Sequence, residues 1–247
     1  MEQSFQLTFA SGRTAQAIHL QQDADLPNAL SQLGLKGPSP VLVVVGGASK
    51  LSDADRRRVQ ALFVKVLAPL AEDLKGFVVD GGTDAGIMRL MGEARSEINA
   101  AFPLIGVAPV GLATLPNLPP TSADASLLEP NHTHFILVPG SSWGDESPWI
   151  AKVASTLADS HPSIVVLING GEVTWKDASQ NIQEGRPIVV IAGSGRTADI
   201  LASVLRGKAT DQRAEDLISS GLVQAIDLTT DFKTLSRKIK QAFFAGE

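Results

Sequence analysis

Cysteine is absent from the 247-residue chain, which excludes disulfides, thiolate nucleophiles and zinc sites with cysteine ligands. The first residues, MEQSFQLTFASGR, contain neither the basic segment nor the apolar segment of a secretory signal. No apolar run approaches the roughly 18 residues that a membrane-spanning helix needs. We therefore expect a cytoplasmic protein that does not interact with a membrane.

An excess of basic residues is also lacking. The chain has 21 Lys and Arg residues against 26 Asp and Glu residues, a net charge of -5, and its basic residues are scattered. Proteins that bind nucleic acid usually concentrate positive charge on one face, so we expect no nucleic-acid partner. The apolar share of 44% is typical of a globular protein with a sizeable core. The sequence leaves open whether the chain forms a homo-oligomer.

Short β-branched runs alternate with stretches that have helical spacing. The runs predict strands that are buried on both faces, at residues 41–45, 77–79, 103–108, 134–138, 163–168 and 187–192. Helices are predicted between most of them, at residues 52–74, 84–100, 147–158 and 196–206. This alternation indicates an α/β fold: a Rossmann-like, doubly wound, mostly parallel sheet with helices on both faces and a small N-terminal strand pair.

We expect one domain over residues 1–247. Residues 1–40 form an N-terminal hairpin extension around the turn at Ser11 and Gly12, residues 41–206 form the core, and residues 207–247 hold a last strand at 222–227 and a packed helix. Residues 109–131 break the regular spacing, with five prolines and little periodicity. Because structureless loops beyond about 12 to 15 residues are usually lids, binding loops or disordered segments, this segment is a candidate for a mobile cover over the site. A passive surface excursion is the alternative.

Small residues follow four of the predicted strands, in the segments Gly46-Gly47-Ala48, Asp80-Gly81-Gly82-Thr83, Asn169-Gly170-Gly171 and Gly193-Ser194-Gly195-Arg196. The carboxyl ends of parallel strands share one edge of a sheet, so these loops are expected to converge. Glycine lets backbone N–H groups approach an anion without a side-chain clash, and the N-terminus of the following helix adds a favourable dipole. A phosphate-bearing ligand is therefore predicted, with Gly86 permitting close approach at the start of one helix. The spacing G-x-G-x-x-G and the P-loop sequence G-K-[ST] are both missing, which disfavours a conventional NAD dehydrogenase or NTPase.

Two groups of candidate residues each have two interpretations. Arg196 follows a Gly-Ser-Gly turn at a helix start, where it could bind a phosphate with two hydrogen bonds or pair with Asp199. His132 and His134 are spaced to point to one face of a strand near Glu129, which could form a metal site. Histidines that fix the loop through hydrogen bonds are the favoured alternative, and we expect no metal.

Asp145 and Glu146 also have two interpretations. They could contact a ribose hydroxyl or a metal, or they could only precede a helix in which Ser147 is the N-cap and Pro148 the first residue. For nucleophilic catalysis, no Ser/His/Asp arrangement follows from the spacing, and the sequence G-x-S-x-G is missing.

Six motifs within residues 41–205 together resemble the SLOG domain in the N-terminal cytoplasmic region of TRPM cation channels. They are VVVGGA, DGGTDAGIM, LLEPNHTHFILV, WGDE, LINGG and RPIVVIAGSGRTADILA. The combination of EPNHTHFILV with GSGRTADILA is far more specific than either glycine pair. The resemblance implies a Rossmann-like fold in a free-standing prokaryotic version of the domain, a nucleotide-derived ligand and no cofactor. ADP-ribose is the leading candidate, because the domain is associated with ADP-ribose binding in some TRPM channels.

The resemblance carries over a set of phosphate-binding residues: Gly81, Gly82, Thr83, Gly170, Gly171, Gly193, Ser194, Gly195 and Arg196. The full set of candidate ligand-binding residues adds Gly46, Gly47, Gly86, Asn131 and His132.

The wider superfamily contains the LOG and lysine-decarboxylase-like phosphoribohydrolases, which cleave the N-glycosidic bond of nucleoside monophosphates and carry a P-G-G-x-G-T-x-x-E motif. Residues 169–177 read N-G-G-E-V-T-W-K-D, which keeps two glycines and Thr174 but has Asn169, Val173 and Asp177 at the Pro, third Gly and Glu positions. Asp177 is the catalytic candidate in this alternative, as a carboxylate that stabilises an oxocarbenium ion or activates water. A side chain one methylene shorter, in a remodelled loop, disfavours that role. We therefore favour ligand sensing over N-glycosidic-bond hydrolysis and leave both open.

Overall fold

The computed structural model of the chain describes residues 3–47 and 53–244. Its strands are β1 (Phe5–Thr8), β2 (Thr14–His19), β3 (Val41–Gly46), β4 (Phe77–Asp80), β5 (Leu104–Pro109), β6 (Ala113–Thr114), β7 (Ser126–Leu127), β8 (His134–Val138), β9 (Ser163–Ile168), β10 (Ile188–Ala192) and β11 (Val223–Asp227). Within the described residues nine of them form one sheet, in the order β1-β2-β8-β5-β4-β3-β9-β10-β11. All neighbours are parallel except β1 and β2. The predicted α/β fold with its N-terminal strand pair is confirmed.

The N-terminal strand pair continues the main sheet. After the turn at Ser11 and Gly12, β2 runs parallel to β8, with Gln16 opposite His134. The hairpin therefore lengthens the sheet at one end, while β11 forms the other end beside β10.

The helices are α1 (Leu26–Gln32), α2 (Asp53–Leu62), α3 (Ala68–Leu74), α4 (Gly86–Glu97), α5 (Ser147–Ala158), α6 (Glu172–Gln183), α7 (Arg196–Leu205), α8 (Gln212–Ile218) and α9 (Phe232–Phe243). A π-helical turn, Phe63–Leu67, joins α2 to α3, and a single 3₁₀ turn, Asp23–Asp25, precedes α1. The long helix predicted over residues 52–74 thus exists as three consecutive segments, although Ser52 lies outside the described residues, as does Ala48 of the first glycine loop. Helices α1, α6 and α8 were not predicted.

Hydrophobic cores lie on both faces of the sheet. Successive residues of a strand point to opposite faces, so Val43 belongs to one core and Val44 to the other. Helices α1, α5, α6, α7 and α8 cover the first face, and α2, α3, α4 and α9 cover the second. Burying a Val, Leu or Ile side chain stabilises a fold by about 1.5 to 3 kcal/mol. The two-sided burial explains why the strands are continuous apolar runs.

Candidate functional site

The candidate site lies where the order of the strands changes direction. After β3 the sheet grows through β4 and β5 on one side, and later on the other side of β3 through β9 and β10. The loops after β4, β3, β9 and β10 therefore lie side by side at the carboxyl edge, which is the usual ligand position in open α/β sheets. As far as the described residues extend, the four predicted glycine loops come together here.

Gly46 and Gly47 bring the first loop against the third. Gly46 has a φ of +131°, and a Cβ at this position would lie 1.9 Å from the carbonyl oxygen of Ile168, so no larger residue fits. The Gly47 N–H donates a hydrogen bond of 3.0 Å to the same oxygen. A Cβ on Gly47 would lie 3.6 Å from Oδ1 of Asn169. The ends of β3 and β9 therefore meet backbone to backbone.

Asn169 joins the third loop to the fourth. Its backbone N–H donates to the Ser194 hydroxyl and its side-chain Nδ2 donates to the Ser194 carbonyl, both at 2.7 Å. Oδ1 of Asn169 accepts a hydrogen bond of 2.8 Å from the Gly170 N–H. Asn169 has a φ of +56°, whereas proline is restricted to about -65°. The departure from the phosphoribohydrolase motif at this position therefore has a backbone cause.

Ser194 is buried, and its hydroxyl is engaged by the protein itself. The hydroxyl donates to the Ile191 carbonyl at 2.5 Å while it accepts from Asn169. Its observed contacts hold two loops together, and its direct contact with a ligand stays a prediction.

Arg196 lies over the third loop. It is the first residue of α7 and has a φ of +50°. A Cβ on Gly171 would lie 3.1 Å from Nη2 of Arg196, so the guanidinium is placed against the Gly171 backbone. Asp199, the alternative partner of Arg196, accepts a 2.6 Å hydrogen bond from the Gly193 N–H. The guanidinium and the N-termini of α6 and α7 are thus brought to one place.

A cavity of about 230 Å³ opens beside these loops. The predicted residues Gly46, Gly81, Thr83 and Asp177 line it, and its other lining residues are Val44, Val45, Ala85, Met88, Ser126, Trp143, Glu146, Ile150, Val173 and Thr174. The lining combines apolar side chains with the hydroxyl groups of Thr83, Ser126 and Thr174 and the carboxyl groups of Glu146 and Asp177. Of the described residues, no lysine, arginine or histidine lines the cavity.

Asp177 lies on helix α6 and not in a loop, contrary to the expectation from the motif. The Ser147 hydroxyl donates a hydrogen bond of 2.6 Å to Oδ1 of Asp177. Burial raises the pKa of Asp177, this hydrogen bond lowers it and the nearby Glu146 raises it, with the result that the pKa is about 7. The cavity therefore contains a carboxyl group that can change its protonation state near neutral pH.

Glu146 is the second acidic residue of the cavity. It is the N-cap residue of α5, and its Oε2 accepts a hydrogen bond of 2.7 Å from the Gly144 N–H. Burial raises the pKa of Glu146 as well. The predicted helix over residues 147–158 is present, but Ser147 is its first residue, not its N-cap. The prediction failed because the Ser147 hydroxyl binds Asp177 and does not cap the helix.

Asp145 is turned to the preceding loop. Its Oδ2 accepts hydrogen bonds of 3.0 Å from the backbone N–H groups of Ser141 and Ser142. Of Asp145 and Glu146, only Glu146 is among the described residues that line the cavity.

His132 forms a buried charged cluster with Asp80 and Glu129. Its Nε2 lies 2.8 Å from Oδ1 of Asp80, and its Nδ1 lies 2.8 Å from Oε2 of Glu129. Burial alone would lower the pKa of His132, but the two carboxylates outweigh it and raise the pKa to about 9. His132 is 1% exposed and does not line the cavity, so any contact with a ligand is indirect.

This cluster lies beneath the second glycine loop. Oδ1 of Asp80 also accepts a hydrogen bond of 2.7 Å from the Gly82 N–H, and the Glu129 N–H donates to the Gly82 carbonyl at 2.9 Å. A Cβ on Gly82 would lie 2.7 Å from the Cα of Gly106, so a side chain here would push β4 and β5 apart. Asn131 supports the cluster from the other side, since its backbone N–H donates to Oε2 of Glu129 at 2.8 Å. Gly82, Asn131 and His132 therefore hold the loop that presents Gly81 and Thr83.

The metal interpretation of the two histidines gains no support. His134 is not part of the cluster around His132, and its Nδ1 lies 2.7 Å from the Thr133 hydroxyl. In the part of the chain that the structure describes, no group of three or more His, Asp or Glu residues could hold a metal ion.

The remaining predicted residues lie around the cavity without lining it. Gly47 and Gly86 line a neighbouring, more open hollow together with Arg56 and Arg89. Gly170 is adjacent to the cavity, because a Cβ on it would lie 2.7 Å from Cγ2 of Thr174. Thr174 in turn accepts a hydrogen bond of 3.1 Å from the Gly171 N–H. This chain of contacts links Arg196 to the cavity.

The proline-rich segment 109–131 contains a short parallel ladder, formed by β6 and β7. Ser126 of β7 lines the cavity, and the indole Nε1 of Trp143 donates to the Asp124 carbonyl at 3.2 Å. The segment thus covers part of the site, while its movement stays a prediction.

Residues 39–236 match the family model described as SLOG in TRPM, prokaryote. Three similar proteins are transient receptor potential cation channels of subfamily M. Member 2 of Rattus norvegicus is 26% identical over 69% of this chain, and member-like 2 of Nematostella vectensis is 25% identical over 78% of this chain. Member 7 of Homo sapiens is 24% identical over 88% of this chain. The chain spans about 14 to 15% of the length of these relatives. Among the described residues, no helix is long and apolar enough to cross a membrane.

Proposed function

The chain belongs to the prokaryotic family of SLOG domains related to TRPM channels, and on that premise we propose that it binds a nucleotide-derived small molecule at the carboxyl edge of its sheet, with ADP-ribose or a related NAD metabolite as the leading candidate. Its output is ligand sensing. The single observation that carries the proposal is the contact of the Arg196 guanidinium with the Gly171 backbone beside the cavity.

The phosphate groups of the ligand bind at the third and fourth glycine loops. Gly171 precedes α6, and Arg196 begins α7, so two helix N-termini and one guanidinium favour an anion at this position. Arg196 is exposed, and a guanidinium can bind a phosphate through two hydrogen bonds.

The uncharged part of the ligand occupies the cavity. A phosphate is disfavoured there, because Glu146 and Asp177 supply the ionisable groups of the lining. Hydroxyls from Thr83, Ser126 and Thr174 suit a sugar. Trp143, which is 37% exposed at the cavity, offers an aromatic surface for a base.

Hydrolysis of an N-glycosidic bond is the second candidate function, and the raised pKa of Asp177 favours it. A carboxyl group with a pKa of about 7 can accept or donate a proton at neutral pH, as general acid-base catalysis requires. Its position on α6, one hydrogen bond from Ser147, fixes the carboxyl group in the cavity.

Arg196→Ala tests the binding proposal. Loss of a charged hydrogen bond to phosphate should weaken ADP-ribose binding by about 1 to 3 kcal/mol, measured by isothermal titration calorimetry. Arg206→Ala is the matched control, because Arg206 follows the opposite end of α7 and pairs with Asp227 at 2.9 Å. Equal affinities of Arg196→Ala and the wild type would remove Arg196 from the site.

A turnover assay separates the two functions. The wild type is incubated with AMP, NAD or ADP-ribose, and the mixture is separated by chromatography to detect a released base. A product that disappears in Asp177→Asn would establish the hydrolase, whereas binding without product supports the sensor.

A further inference from the structure

One carboxyl oxygen of Asp177 is open to the cavity. The residue is 7% exposed, and among residues 3–47 and 53–244 only Ser147 donates a hydrogen bond to its side chain, at Oδ1. Oδ2 is therefore left for a group that binds in the cavity. Oδ2 is not among the fully buried side-chain atoms that lack a partner, so a ligand that enters the cavity can donate a hydroxyl to it.

Glu146 places a second carboxyl group on the same cavity. Its Oε2 is held from the backbone side by the Gly144 N–H, and the residue is only 6% exposed. Asp177 lies on α6, and Glu146 is the N-cap residue of α5, which packs against α6. The nearby Glu146 raises the pKa of Asp177. The cavity thus presents two acceptors from two directions.

We propose that Glu146 and Asp177 bind the adjacent 2′- and 3′-hydroxyls of a ribose, so that the site selects ribonucleotides over their 2′-deoxy and 2′-phosphorylated counterparts. This inference rests on the proposed function. In nucleotide sites of α/β folds, an acidic residue on the 2′-hydroxyl favours the unphosphorylated ribose, and a nearby arginine favours the 2′-phosphate. Here the described lining contains acids and no arginine.

The phosphate end and the ribose end of the ligand bind at different places. Phosphate is attracted to Arg196 and the N-terminus of α7, while a second phosphate on the ribose would face Glu146 and Asp177. Like charges in a site of low dielectric repel strongly. A ligand with one anionic end and a free diol fits both parts.

Three mononucleotides with a single ribose test the selectivity by calorimetry: AMP, 2′-deoxy-AMP and adenosine 2′,5′-bisphosphate. We expect AMP to bind about ten- to a hundredfold more tightly than 2′-deoxy-AMP, the range for a hydrogen bond to a charged acceptor, and adenosine 2′,5′-bisphosphate to bind more weakly than AMP. In Glu146→Gln, which keeps the shape and removes the charge, the preference for AMP over the bisphosphate should fall at least about tenfold.

Glu97→Gln is the matched control, because Glu97 is exposed in the last turn of α4, at the end of that helix away from the carboxyl edge, and should leave all three affinities unchanged. If the wild type binds AMP and 2′-deoxy-AMP equally, the diol inference is wrong and the proposed function stands. If the wild type binds neither AMP nor ADP-ribose, the proposed function itself fails, and this inference fails with it. Should Glu146→Gln not fold, the wild-type comparison of the three nucleotides decides alone.

Discussion

Replacing Asp177 with asparagine should stabilise the folded protein, and the gain should grow as the pH rises. Burial raises the pKa of Asp177 from 3.8 to about 7, so the folded state resists ionisation that the unfolded state undergoes freely. Below pH 3.8 both states are protonated and the effect vanishes. Between pH 3.8 and pH 7 the free energy of unfolding falls with rising pH, and above pH 7 the full penalty of about 4 kcal/mol is present.

Asparagine is neutral at every pH and keeps an oxygen that can accept the Ser147 hydrogen bond. The stability difference between Asp177→Asn and the wild type should therefore increase by roughly 3 kcal/mol between pH 5 and pH 8, because it grows by about 1.4 kcal/mol per pH unit up to about pH 7 and then levels off. Urea denaturation at the two pH values measures this difference. Every other titrating group is present in both proteins, so its contribution cancels, apart from the interaction of Glu146 with the Asp177 charge.

Asp216→Asn is the control for the loss of a negative charge, since Asp216 is exposed on α8. Its stability difference from the wild type should not change with pH by the amount expected for Asp177. A pH-independent difference for Asp177→Asn, or a variant less stable than the wild type at pH 8, would show that the folded protein stabilises the ionised carboxylate. The reasoning from burial would then be wrong.

Two further predictions concern the support of the site. His132→Gln should lower the free energy of unfolding by about 3 kcal/mol at pH 6, because the pKa of His132 is raised from 6.5 to about 9. The wild type loses this stabilisation as the pH rises from 6.5 through 9, so the stabilities of the two proteins, measured by urea denaturation, should converge toward pH 10. The exposed His161→Gln should show no such trend. Gly46→Ala should lower the free energy of unfolding by more than about 2 kcal/mol, because its Cβ would overlap the Ile168 carbonyl. Gly12→Ala, also at a positive φ but in open space, should cost about 1 kcal/mol, and equal losses would contradict the close approach at Gly46.

The strands were predictable because each is a run of apolar residues that both cores require. Strands β8 and β9 occur at the predicted residues. Helix α6 was missed for a physical reason: its buried side carries Thr174, Asp177 and Asn181, so polar residues occupy positions where a helix normally shows apolar periodicity. In such a helix, buried polar residues at helical spacing are the signal that sequence reasoning could have used.

The convergence of the glycine loops could be predicted from the parallel sheet, but the partners of the site's side chains could not. His132 and Asp80 are 52 residues apart, and Ser147 and Asp177 are 30 apart. Their meeting depends on which strands are neighbours, which local spacing does not encode. The sequence indicated that histidines fix this region through hydrogen bonds, while the two carboxylates on either side of the ring emerge only from the fold.

The choice between sensor and hydrolase depends on what Asp177 does with its proton. A short side chain in a remodelled loop would be poorly placed for catalysis, yet Asp177 projects from a helix and its carboxyl group accepts a hydrogen bond from Ser147. Length alone therefore does not remove Asp177 from the chemistry. Active-site groups often destabilise the fold, but Asp177 would destabilise it equally if the role of Oδ2 is to bind a ribose hydroxyl. The destabilisation therefore does not separate catalysis from binding. Because Asp177→Asn is expected to be the more stable protein, a loss of turnover or of affinity in this variant cannot be attributed to unfolding. Lost turnover with retained ADP-ribose binding assigns Asp177 to proton transfer, whereas weaker binding of a ligand that is never cleaved assigns it to recognition.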